Sequence, residues 1–70
     1  MKIKVNGETK ELHQEAKPPS VKSVINQLGY HPQLIVVEFN GIILEPSNWE
    51  RQEVKTGDSL EIVTIVGGGS

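Results

Sequence analysis

The 70-residue sequence contains no cysteine, which excludes a disulfide framework, a thiolate zinc site and a thiol nucleophile. Positive charge is also scarce. Seven Lys and Arg stand against nine Asp and Glu, a net charge of −2, and no basic stripe of the kind that binds nucleic acid can be traced. The longest apolar run, Leu34 to Val37, is four residues, far short of a membrane span. The opening Met1-Lys2-Ile3-Lys4-Val5 lacks the apolar stretch of a secretory leader. A domain this small without disulfides is expected inside the cell, in the cytoplasm. Length itself is limiting, because ordering costs about 1.5 kcal/mol per residue and leaves a small net stability. A chain with 36% hydrophobic residues, mostly Val and Ile, can build a modest core but not a core and a deep catalytic pocket. A carrier, binding module or inhibitor is expected, not an enzyme.

What is present reads as alternating short elements. Residues 2–5 alternate Lys, Ile, Lys, Val, a strand with Ile3 and Val5 facing the core. Asn6-Gly7 is a strong hairpin signal, and the polar return from Glu8 to about His13 suits an edge strand. Gln14 to Pro19 reads as a loop. Ser20 stands as an N-cap before Val21, Val24, Ile25 and Leu28, one apolar stripe of a helix of about nine residues that Gly29 ends. Leu34 to Phe39 is apolar on both parities, as in an interior strand or one whose second face meets a partner. Asn40-Gly41 turns into Ile42-Ile43-Leu44. Pro46 to Val54 reads as irregular, with Trp49 a satellite of the core. Thr56-Gly57-Asp58 is a turn, and a closing strand runs from about Ser59 to Val66. The order β-β-α-β-β-β predicts a two-layer α+β domain over residues 1–66.

The tail Gly67-Gly68-Gly69-Ser70 is the most informative feature. Its glycines, without Cβ atoms, can thread a channel that side chains would block, and four residues extend roughly 13–14 Å. A frayed terminus or a Gly/Ser linker fits the same composition. Parity places Leu60 and Ile62 toward the helix. Val63 and Ile65, with Val36 on the neighbouring strand, fall on the other side of the sheet, as a partner-binding patch or as scattered exposed apolar residues. His13 and His31 have no ligand companions at useful spacing, and Glu8, Glu11 and Glu15 read as a solvated run.

The stretch Phe39-Asn40-Gly41-Ile42-Ile43-Leu44-Glu45-Pro46-Ser47-Asn48-Trp49 resembles the ThiS family of sulfur carriers in thiamin biosynthesis. The segment Val54-Lys55-Thr56-Gly57-Asp58-Ser59-Leu60-Glu61-Ile62-Val63, the pair Gly67-Gly68 after Val66, and the opening Ile3-Lys4-Val5-Asn6-Gly7-Glu8 extend the likeness over nearly the whole chain. The resemblance implies a β-grasp, ubiquitin-like fold, with a mixed sheet of four to five strands and one helix packed on one face. It also implies a protein co-substrate with no bound cofactor. A ThiF-type, E1-like adenylyltransferase would use ATP to activate the terminal glycine carboxylate. A cysteine desulfurase system would supply sulfur, and a ThiG-type thiazole synthase would receive it. Gly67 and Gly68 match the family's di-glycine, and Gly69 is the terminal member if the motif shifts by one.

Ser70 departs from the family's glycine terminus. Trimming, an added terminal residue and a frame ending one residue later all account for it, so the glycine that bears sulfur stays open. A molybdopterin-type sulfur carrier and a TGS-like β-grasp interaction module are the alternatives.

Overall fold

A computed structural model describes residues 1–13 and 17–65. Asn6 and Gly7 both take positive φ, 53° and 81°, and turn β1 (Lys2–Val5) into its antiparallel partner β2 (Glu8–Glu11). Asn40 and Gly41, at 51° and 88°, do the same between β3 (Ile35–Phe39) and β4 (Ile42–Leu44). Mirror-image turns match the right-handed strand twist, and Asn-Gly is the dipeptide that adopts them at least cost.

Between the hairpins lies the helix α1 (Val21–Leu28). The Ser20 hydroxyl accepts the Ser23 N–H at 3.1 Å, and Gly29, at φ 83°, closes the last turn with its N–H on Asn26. These are the expected caps. Val21, Val24 and Ile25 are buried, and Leu28 is half-buried where the stripe runs off the sheet. A single 3-10 turn, Pro32–Leu34, leads into β3.

The last strand, β5 (Ser59–Thr64), inserts between the two hairpins. It runs parallel to β1, with Val5 opposite Leu60, and antiparallel to β3, with Val37 opposite Ile62. The sheet order is β2-β1-β5-β3-β4, five strands, mixed, with α1 on one face. This is the α+β, β-grasp arrangement. Ile3, Val5, Ile35, Val37, Leu60 and Ile62 point from the sheet into the core against the helix stripe, as parity predicts.

Four expectations need adjustment. The return strand ends at Glu11, not near His13, and Leu12 instead drops into the core while its N–H bonds the Met1 carbonyl. Leu34 closes the 3-10 turn and does not open β3. β5 is described as strand to Thr64; Val66, expected to end it, lies outside the described residues. Trp49 is a core member at 3% exposure, not a satellite. The 3-10 turn Pro46–Asn48 delivers it, and its indole N–H donates to the Leu44 carbonyl at 3.0 Å. Backbone bonds from Val21 to Gln52 and from Val54 to Pro19, each 2.8 Å, stitch this irregular segment to the start of the helix.

Candidate docking face and tail origin

β5 holds the middle of the sheet and leads directly to the glycine tail. Its two core residues, Leu60 and Ile62, are buried, so the alternate positions must face away from the helix. Val63 is 60% exposed and lies opposite Val36, itself 37% exposed. The next residue of the same parity, Ile65, donates its N–H to the Leu34 carbonyl and is half exposed. The three residues expected to form a partner patch therefore do meet at one corner of the open face.

Leu34, 44% exposed, lies in the 3-10 turn before β3 and lines a cleft with Lys22, Pro46 and Trp49. Sequence reading missed Ile43. It sits opposite Glu38, diagonal to Val36, and is 64% exposed. Beside the apolar corner the face turns acidic, with Glu38 directly opposite Glu61. Its far side is basic, with Lys2 and Lys4 on β1 paired with Glu11 and Thr9. The sheet therefore offers an apolar corner where the tail departs, flanked by charge of both signs.

The two turn asparagines also hold β5. Asn40 donates its backbone N–H to the Ser59 carbonyl at 2.8 Å, and its side-chain oxygen accepts the Ser59 N–H at 2.9 Å. Asp58 accepts from the Asn40 amide and from the Lys55 N–H, at 3.2 and 2.7 Å, which fixes the turn at Gly57. On the β1 side of the same strand Asn6 donates its N–H to the Leu60 carbonyl at 2.9 Å. Its side-chain amide bonds both the N–H and the C=O of Ile62, at 2.7 and 3.1 Å. Reading Asn-Gly as turn chemistry alone missed these bonds.

Gly67, Gly68 and Gly69 lie outside the described residues. Among the described residues no polar or charged side chain is buried, and no group of three His, Cys, Asp or Glu could hold a metal ion. His13 and His31 are both exposed. Among the described residues no helix is long and apolar enough to cross a membrane.

The ThiS family model matches residues 3–69. The chain belongs to the ThiS family. ThiS from Geobacter metallireducens, a thiamine biosynthesis protein, has a crystal structure that superposes with a TM-score of 0.82 at 30% identity, covering 99% of this chain and 100% of that one. Its solution structure gives a TM-score of 0.80 at the same identity, over 100% and 90%. The uncharacterized protein ycf40 of Pyropia yezoensis is 34% identical over 67 residues, 96% of this chain and 90% of that one. A thiazole synthase from Paramagnetospirillum magneticum is 34% identical over the full 70 residues, which span only 21% of its own length. The chain is thus a β-grasp sulfur-carrier homologue, and the apolar corner and tail origin are read in that light.

Proposed function

We propose that this chain is a sulfur carrier for thiazole formation in thiamin biosynthesis, acting as a protein co-substrate. Residues 1–66 form the docking domain, and residues 67–70 the tail that enters a partner's active site. The apolar corner of Val36, Val63 and Ile65 carries the reading, because it lies where the strand that bears the glycine tail leaves the sheet. A two-layer domain leaves that face in water, and an apolar cluster there favours a partner.

The chemistry runs through the terminal carboxylate. A carboxylate is a poor acyl donor because it would have to expel oxide. An E1-like, ThiF-type enzyme joins it to the α-phosphate of ATP; pyrophosphate leaves, and the carbonyl now carries AMP as its leaving group. The terminal sulfur of a persulfide from a cysteine desulfurase system attacks that carbonyl and displaces AMP; a thiol then cleaves the S–S bond of the acyl persulfide, which leaves a terminal thiocarboxylate and a disulfide. A ThiG-type thiazole synthase takes the sulfur. Its likeness to part of a protein named thiazole synthase supports that last partner. Glycines at 67, 68 and 69 suit a narrow channel beside ATP, where a Cβ would meet the wall.

Intact mass tests the reading. After incubation with ATP, the E1-like enzyme and a sulfur source, the chain should gain the mass of one oxygen-to-sulfur exchange at its terminal residue. Persistent absence of that gain, with Ser70 present and with Ser70 removed, overturns it.

A further inference from the structure

We propose that Asn6 is a positioning residue for the carrier reaction: its side-chain amide fixes the point at which the two-sided strand β5 becomes a one-sided lead into the tail. The inference rests on the carrier reading above. In a parallel ladder the Asn6 carbonyl would accept the Ile62 N–H, and the residue two positions further along β1 would donate to the Ile62 carbonyl. The hairpin turns β1 away at Asn6-Gly7, so neither backbone group arrives. The Asn6 amide fills both places, accepting from the Ile62 N–H at 2.7 Å and donating to the Ile62 carbonyl at 3.1 Å.

The turn does not require this amide. At φ 53°, glycine would serve as well or better. What asparagine adds is two further residues of anchorage for β5 on its β1 side, from Leu60 to Ile62. Beyond Ile62 the strand is held by β3 alone, through Val63 opposite Val36 and the Ile65 N–H on Leu34. Val36, Val63 and Ile65 are the residues of the apolar corner. Without the amide, one-sided anchorage begins at Leu60, and the patch and the tail origin move together. A partner would then have to order them on docking, at a cost in affinity and not in the chemistry of the docked state.

The test compares Asn6→Gly, which keeps the positive-φ turn, with Ile25→Val, a core change in the helix that leaves the backbone bonds of β5 in place. Amide exchange at Ile62 and ATP–pyrophosphate exchange by the E1-like partner are measured for each. Asn6→Gly should speed Ile62 exchange and raise the KM for the carrier by about tenfold, with kcat unchanged, the effect of ordering roughly one residue. Ile25→Val should leave KM alone. Asn6→Asp keeps the acceptor for the Ile62 N–H but sets a carboxylate against the Ile62 carbonyl. It should also raise KM, and it decides the matter if Asn6→Gly does not fold. A KM within about twofold of the parent in the folded Asn6 variants, or an equal rise in Ile25→Val, overturns the positioning role and leaves the carrier reading standing. A parent chain that is not adenylated at all overturns the carrier reading, and the positioning role falls with it.

Discussion

One contact at the edge of the sheet sets the charge of Glu11. The Met1 amine donates to its carboxylate at 2.7 Å and holds the carboxyl below the ordinary carboxylate range. A depressed folded-state pKa contributes stability that is complete above the unfolded pKa and is lost as pH falls through the folded one. Glu11 is solvent-exposed, so the contribution is small and screened by salt. An NMR titration should place the Glu11 midpoint below the ordinary carboxylate range, and blocking the N-terminal amine should return it there. Residue-scale features that follow a local rule were legible: Ser20 at the cap, Gly29 past the helix, and glycine or asparagine wherever φ is positive. The Asn6 amide was not legible. Its partner, Ile62, is 56 residues away, and no local pattern relates the two.

Elements follow the same division. Strand parity assigned Ile3, Val5, Leu60 and Ile62 inward and Val63 outward, because a period of two leaves only that choice once one face is buried. Parity also yields a contrasting pair of substitutions. Val63→Asp should leave the thermal midpoint nearly unchanged and weaken binding to the E1-like partner. Ile62→Asp, one residue away, buries an unpaired charge against the helix and should abolish folding. Circular dichroism and a binding titration check both, and unfolding of Val63→Asp would place that residue in the core. Periodicity is silent in the Pro46–Val54 segment, which has none. Trp49 therefore went unrecognised as core, since its burial depends on a 3-10 turn and on backbone bonds to the start of α1. Ile43 was missed for a related reason. Its strand is three residues long, too short to separate an inward parity from an outward one.

For the whole molecule, the proposed carrier role assigns fold and function to adjacent stretches of the same chain. Removal of residues 67–70 should leave the unfolding midpoint where it is and eliminate acceptance of sulfur. An interaction module, by contrast, would keep its partner after the same deletion. Thermal denaturation and the intact-mass assay on the shortened chain read the two effects separately. The element order was within reach of sequence because each hairpin and the helix announced itself, and the β-grasp fold followed from the family resemblance. The insertion of β5 between the hairpins was not, because pairing across the chain leaves no short-range trace.

That insertion has a consequence for synthesis. Before the ribosome releases residues 59–64, the nascent chain has two hairpins with no common sheet and a helix with half its packing surface missing. Isolated hairpins are marginal in water, and long-range pairing is slow to form. Folding must therefore wait for the strand that immediately precedes the tail. A chain interrupted earlier stays unfolded and open to proteolysis, so a folded domain that lacks the tail does not accumulate from early termination.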